Sequence, residues 1–323
     1  MRTPKPWILP DQPAPRAILL GGGVSAAMVR TQLAAGRLIR VRSGVYLAAD
    51  AWPEDPAGRH LVRAHAEQAV NPAAVLSHAT AALAWRLPHP GFATWSDSPV
   101  TVTVPAGAAH KSRNRGVVQH RLPLPAAHVT RDRQGYLITT LQRTAVDLAG
   151  GLALPEALVI LDATARLLCQ SLVVGARRRD YGNPRLVRAS REMLHDAVVV
   201  RRLPALAAAI GLCDPGRESP AESLSAGWFA LAGLPTPLFQ PPIDTPLGTV
   251  YPDCLWPEAR LVGECDGAIK YADAKAYVNE KEREQVLRDL DFGIVRWLAK
   301  EIMLDPQRVV GRVERALRSR RPQ

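Results

Sequence analysis

Apolar positions recur at helical spacing in some stretches and alternate in others, laying out a mixed chain of helices and strands. Near the start, Met28, Val29 and Leu33 fall on one face, with Ser25 as an N-cap before them and Gly36 after them, which predicts one short helix over 25–36. Two β-prone runs follow, joined at Ser43-Gly44 as a hairpin over 37–47. Residues 98–105 alternate as a strand, and 116–122 form a run able to pair with it. Thr140 caps a helix through Val146 and Leu148, and Pro155–Leu168 predicts another with Leu158, Leu161 and Ala165 inward.

The pattern is most regular from residue 218 onward. Ser219-Pro-Ala-Glu222 is a capping box that opens a helix with Leu224, Trp228, Leu231 and Ala232 on its buried face, closed by Gly233. Strands are expected at 238–243, Val250–Trp256 and Leu261–Asp266, then a helix over 274–290 and a strand at Gly293–Leu298. A last helix starts at Asp305-Pro306 with Val309, Val310, Val313 and Leu317 inward. The order is helix, three strands, helix, strand, helix.

Composition adds a domain count and a charge bias. With 323 residues the chain exceeds one hydrophobic core, so two or more domains are expected. A net charge of +11 favours an anionic partner, nucleic acid above all. The charge is uneven: residues 1–150 carry 17 basic and 8 acidic side chains, 151–214 carry 9 and 6, and 215–323 carry 15 and 16. That change coincides with the Gly/Pro cluster at 213–220, which gives expected domains at 1–60, 61–214 and 215–323. The arginine run 177–179, with Arg185, Arg188, Arg191, Arg201 and Arg202, is either a solvated basic linker or a grip on a nucleic-acid backbone. Four cysteines without a CxxC fit a reducing compartment, and His78, His110, His120 and His128 lack metal-ligand spacing. No apolar run makes a signal-peptide core or reaches the roughly 18 residues of a membrane span, so a soluble, cytoplasmic protein without a membrane partner is expected.

Helix, glycine, basic hairpin is the order of a winged helix-turn-helix, in which Arg30 and Thr31 would enter the major groove and Arg37, Arg40 and Arg42 would lie near phosphates. A basic docking surface is the plainer alternative. GVSAAMVRTQLAAGRLIRVRSGVYLAA resembles the N-terminal winged helix of AbiEi-type antitoxins of type IV toxin-antitoxin systems, and LSHATAALAW and LITTLQRTAVDLA are similar to segments that follow it in related proteins. The resemblance covers roughly the first 170 residues. It implies a DNA-binding regulator, one able to repress its own operon, with a nucleotidyltransferase-type toxin as its functional partner.

A symmetric hairpin closed by Pro257–Arg260 sets Asp253 opposite Glu264 and places Asp253, Glu264 and Asp266 on one face, with Cys254 and Cys265 on the other. Like charges across a ladder repel, and a hard divalent cation, Mg²⁺ by default, would compensate them. Pro252-Asp253 followed by Glu264-x-Asp266, with Glu222 on the preceding helix, is similar to the PD-(D/E)xK nuclease superfamily. More narrowly, SPAES, GLPTP, YPDCLWPEARLVGECDG and LRDLDFGIVRWL resemble very-short-patch-repair-like endonuclease domains over 218–318. The resemblance implies Asp253 and Glu264 as metal ligands, Glu222 as an accessory acid, and a catalytic part for Asp266, which stands where the family has lysine. Lys270, Lys281 or Arg283 would replace that charge. Two plainer readings stay open: Glu222 serves only the capping box, and Asp266-Gly267 is only a turn.

The reading is an α+β multidomain protein: an N-terminal winged helix-turn-helix, a mixed α/β middle region and a C-terminal restriction-endonuclease-like α/β domain. Its expected function is Mg²⁺-dependent hydrolysis of DNA phosphodiesters. The alternative is a non-catalytic, antitoxin-like transcriptional regulator with a degenerate nuclease domain.

Overall fold

The computed structural model describes residues 7–105, 116–267 and 274–320. The chain divides into two units, one of residues 1–87 with 93–144, the other of 88–92 with 145–323. In the first, β1 (Ala14–Pro15) leads into α1 (Arg16–Gly21), and Gly22 and Gly23 separate it from α2 (Ala26–Ala34). α1 was not expected, because a six-residue run is too short to show a helical period. Ser25 caps α2 by accepting the Met28 N–H at 3.2 Å, and Gly36, at φ 67°, takes the left-handed conformation that follows the helix. β2 (Leu38–Arg42) and β3 (Val45–Ala48) form the expected hairpin, and β1 pairs with the outer side of β3. Leu19, Val24, Val29, Leu38 and Tyr46 make the core of this piece.

The same unit continues with α3 (Pro56–Val70), β4 (Val75–Leu76), α4 (His78–Trp85), β5 (Val100–Val104), β6 (Val117–Arg121), β7 (Val129–Arg131) and β8 (Leu137–Thr139). The strands form one sheet in the order β6-β5-β4-β8-β7, and the two strands expected at 98–105 and 116–122 pair in parallel as β5 and β6. Ala64 and Ala81 from the helices cover Leu76, Val100, Val102, Val104 and Ile138. α5 (Leu141–Ala149) then carries the chain to the second unit.

That unit begins with helices: α6 (Leu154–Leu172), α7 (Arg178–Tyr181), α8 (Pro184–Arg201), α9 (Leu206–Leu212) and α10 (Pro220–Leu231). β9 (Leu238–Phe239), β10 (Ile243–Thr245), β11 (Gly248–Val250), β12 (Cys254–Trp256) and β13 (Leu261–Asp266) follow, then α11 (Ala274–Asp289), β14 (Gly293–Leu298), α12 (Ala299–Leu304) and α13 (Pro306–Ser319). The sheet order is β14-β13-β12-β9, with β13 and β14 parallel and the other neighbours antiparallel. The hairpin register is the expected one, Cys254 with Gly263 and Trp256 with Leu261. One sheet face packs Cys254, Trp256, Leu261 and Trp297 on α10 and α13, and the other packs Leu255 and Val262 on Leu287 of α11.

Three details differ from the sequence reading. Two expected strands are interrupted: 238–243 breaks at Pro241-Pro242, and Val250–Trp256 breaks around Pro252, because proline donates no ladder hydrogen bond. Leu231 is 57% exposed, whereas Phe229 is buried, because α10 is covered by α6 as well as by the sheet and no single stripe marks its core side. The Gly/Pro cluster at 213–220 also lies within the second unit, so the change in charge at 215 is not where the compact units part.

The α6–α10 contact depends on a missing side chain. A Cβ on Gly227 would lie 2.4 Å from Pro155 Cα, so Gly227→Ala is expected to cost about 1–3 kcal/mol of stability through overpacking. A urea titration with an unchanged midpoint would contradict this contact. Among the described residues no helix is long and apolar enough to cross a membrane.

Candidate functional site

The break at Pro252 leaves Asp253 just before β12, where its carboxylate is not on the ladder itself but reaches across it. Asp253 Oδ2 accepts the Cys265 backbone N–H at 2.7 Å, and Oδ1 accepts the side-chain amide of Gln240 at 3.1 Å. That amide also reaches Glu222 Oε2 at 3.5 Å, so Gln240 joins an acid from α10 to the acid at the head of β12. Gln240 sits in the gap after β9 at φ 48°, a conformation uncommon for a residue with a Cβ. Its backbone N–H is held by Asp253 O at 3.2 Å, and its Oε1 accepts Arg178 at 3.1 Å.

Glu222 is only half of the expected capping box. Ser219 accepts the Glu222 N–H at 3.2 Å, but the Glu222 carboxylate takes the N–H of Glu218, at 3.0 Å, in place of that of Ser219. Burial, and then the negative charge of Asp253, push the Glu222 carboxyl up to about 7. Burial also raises Asp253, against the hydrogen bonds from Cys265 and Gln240 and the charge of Arg283. Burial and the charge of Asp253 thus hold back the ionisation of Glu222, and neither acid forms an ion pair among the described residues.

Glu264 and Asp266 are placed differently from the expectation. Glu264 is buried, and its Oε1 accepts Arg283 of α11 at 2.7 Å; Arg283 also donates to Tyr251 O at 3.2 Å. Asp266 is held by Arg296 of β14 at 3.1 Å, and Arg296 reaches Glu284 at 3.5 Å. Asp253 is therefore coupled to Glu222, while Glu264 is engaged by a cation from the following helix. That cation is Arg283; Lys281 lies 3.7 Å from Glu284, and Lys270 is outside the described residues. Among the described residues, no three His, Cys, Asp or Glu side chains form a metal-ligand group. Cys254 and Cys265 face the opposite core as expected, and burial pushes both thiols up.

In the first unit, Arg30, Thr31, Arg37 and Arg40 are exposed on α2 and the hairpin. The Thr31 hydroxyl donates to Ala27 O at 3.0 Å. Arg42 corrects the sequence reading: it is committed to Glu67 of α3, whose side chain is fully buried, so it is not a phosphate contact on the wing. A buried ion pair of this kind has no local signature. Of the four histidines, His78 stacks on His120 with ring centroids 3.7 Å apart, and His110 lies outside the described residues.

Sequence reasoning missed Gln240 and Arg296, and it named Arg178 only as part of the basic run, not as a partner of Gln240. Only the flanking prolines at 241 and 242 hinted that the chain stops being a strand at Gln240, and nothing local announced that its side chain turns to the acids.

No family model matches the chain. Two curated relatives, both described as uncharacterized proteins of Mycobacterium tuberculosis, one from strain CDC 1551 / Oshkosh and one from strain H37Rv, are each 30% identical over 186 residues. The match takes in 57% of this chain and 62% of each relative, so the chain spans under two thirds of the length of the curated relatives it matches.

Proposed function

We propose that this is a DNA-binding protein whose C-terminal sheet fold hydrolyses DNA phosphodiesters, with Glu222 and Asp253 as its metal-holding acids. The observation that carries the reading is the pair itself: a buried Glu222 whose carboxyl is raised by burial and then by the charge of Asp253, beside a half-buried Asp253 raised by burial, neither in an ion pair among the described residues. Unpaired buried charge is costly, and hard oxygen donors are what Mg²⁺ takes. The pair therefore fits a divalent cation, and the ligand set moves from Asp253 with Glu264 to Asp253 with Glu222. A bound Mg²⁺ supplies Lewis acidity at a phosphodiester oxygen and a more acidic attacking water.

The protein's own residues do the positioning. Gln240 fixes Asp253 and Glu222 relative to each other, and the Cys265 N–H fixes the second oxygen of Asp253. Arg283, held by Glu264, supplies the positive charge in place of the lysine that Asp266 replaces, suited to a phosphate oxygen. Asp266 is a clamp on Arg296, outside the acid pair. In the first unit, Arg30 and Thr31 read the major groove, and Arg37 and Arg40 contact phosphates.

One observation favours the second reading, a non-catalytic antitoxin-like regulator working alongside a nucleotidyltransferase-type toxin. Glu264 is occupied by an arginine, and the described residues offer no third ligand. Plasmid nicking by the full chain in Mg²⁺ and in EDTA, with wild type and Asp253→Ala, decides between them. Metal-dependent nicking lost in Asp253→Ala is expected. Retained DNA binding with no nicking under any metal would establish the regulator.

A further inference from the structure

The second unit contains a groove of about 910 Å³ whose walls are α7, α8 and the chain on either side of Gln240. Its lining includes five arginines, and their partners set them apart. Arg166 and Arg178 share Glu218 at 3.2 and 3.1 Å, and Arg191 donates to Cys213 O at 3.0 Å. Arg179 and Arg188 are exposed and form no ion pair among the described residues. The lining also holds Glu192, Asp214 and Glu218, so five arginines against three acids leave the groove a surplus of positive charge, and Arg179 and Arg188 are ion-paired to none of these acids among the described residues.

Two further features identify the class of ligand. Tyr251 is 37% exposed at the rim, and the Arg178 guanidinium lies 4.9 Å from its ring centroid, which makes a flat platform of the type on which bases stack. Arg178 also donates to Gln240, a lining residue whose amide holds Glu222 and Asp253, so one side chain links the groove wall to the acid pair. Arginines along a wall and an aromatic at the rim suit one strand of nucleic acid, with phosphates on the arginines and a base on the tyrosine.

We infer that the Arg179–Arg188 groove binds a single nucleic-acid strand and leads it to the Glu222–Asp253 pair. The helices α7 and α8 are then part of substrate binding, which the basic run at 177–202 left open between linker and grip. The destination of the strand rests on the proposed phosphodiester hydrolysis; binding in the groove does not.

The test is fluorescence anisotropy of the full chain with a labelled oligothymidylate and with a labelled duplex, in EDTA, across a salt series. Arg179→Ala/Arg188→Ala is expected to bind the single strand roughly tenfold more weakly near 0.1 M salt and to lower the slope of log K against log salt by about 1.4, for two lost phosphate contacts. Tyr251→Ala is expected to weaken the single strand roughly tenfold, and Tyr251→Phe to restore it. Arg315→Ala, an exposed change on α13 outside the groove, serves as the control for lost charge. Single-strand affinity and slope equal to wild type in the double variant, or a loss confined to the duplex, would overturn the inference. Because binding is read in EDTA, a failure of wild type to cleave leaves it standing, and unchanged binding with intact cleavage refutes the groove alone.

Discussion

Arg42→Ala is expected to destabilise the N-terminal unit by about 3–5 kcal/mol, the usual result of removing one partner of a buried ion pair. Glu67 on α3 has a fully buried side chain, and Arg42 is its cation. Its second oxygen, Oε1, is buried without a hydrogen-bond partner, so nothing in the described structure takes over when the guanidinium is deleted. Arg40 sits two residues away on the same strand but is exposed, so Arg40→Ala should change stability by no more than about 0.5 kcal/mol. Its effect should be on DNA instead, lowering the salt slope by about 0.9 for one phosphate. Urea unfolding, with hydrogen exchange on peptides from β2 and α3, separates the two variants. A double variant, Arg42→Met/Glu67→Met, removes both charges and should recover most of the loss. An Arg42→Ala protein with wild-type urea midpoint and exchange would refute the structural role.

This contrast shows where sequence reading stops. Ser25, Gly36 and Ser43-Gly44 act locally, and the helix and hairpin they predict are present. The four-residue closure at Pro257–Arg260 fixes register by geometry alone, so the Cys254–Gly263 pairing was legible as well. Partner choice was not. Arg42 and Arg40 look alike in sequence, yet only one finds a buried acid 25 residues away. Asp253 was expected to answer to Glu264 because a strand ladder puts them opposite. Instead α10 brings in Glu222 and α11 brings in Arg283, and the four groups sort into an acid pair and an ion pair. The division of the chain was obscured for a similar reason. Arg217, inside the cluster that looked like a linker, donates to the buried Asp162 of α6 at 2.7 Å and lies over Phe239 with 4.1 Å to the ring centroid, which ties those helices to the sheet.

A large pH effect should come from Glu222. Its carboxyl rises from an ordinary 4.5 to about 7 in the fold, which corresponds to about 3 kcal/mol. A raised acid is most compatible with the fold when protonated. The stability is therefore complete below about pH 4.5, is lost as pH rises towards 7, and stays lost above it. Glu222→Gln cannot ionise, so in EDTA it should lack this fall and exceed wild type by up to about 3 kcal/mol at pH 8, with little difference at pH 4.5. Millimolar Mg²⁺ should narrow that gap by stabilising wild type at pH 8 while leaving Glu222→Gln unchanged, since a ligand stabilises only the state that binds it. The same substitution should abolish metal-dependent nicking. Urea midpoints for both proteins at pH 4.5 and pH 8, with EDTA or Mg²⁺, test the whole scheme. A wild-type midpoint that does not fall relative to Glu222→Gln as pH rises would show that the fold does not raise this carboxyl, and one that falls but ignores Mg²⁺ would show that the pair serves something other than a cation. A gain in stability on losing Glu222 would mean that the fold keeps this carboxylate at its own expense, as expected of a residue retained for chemistry and not for capping.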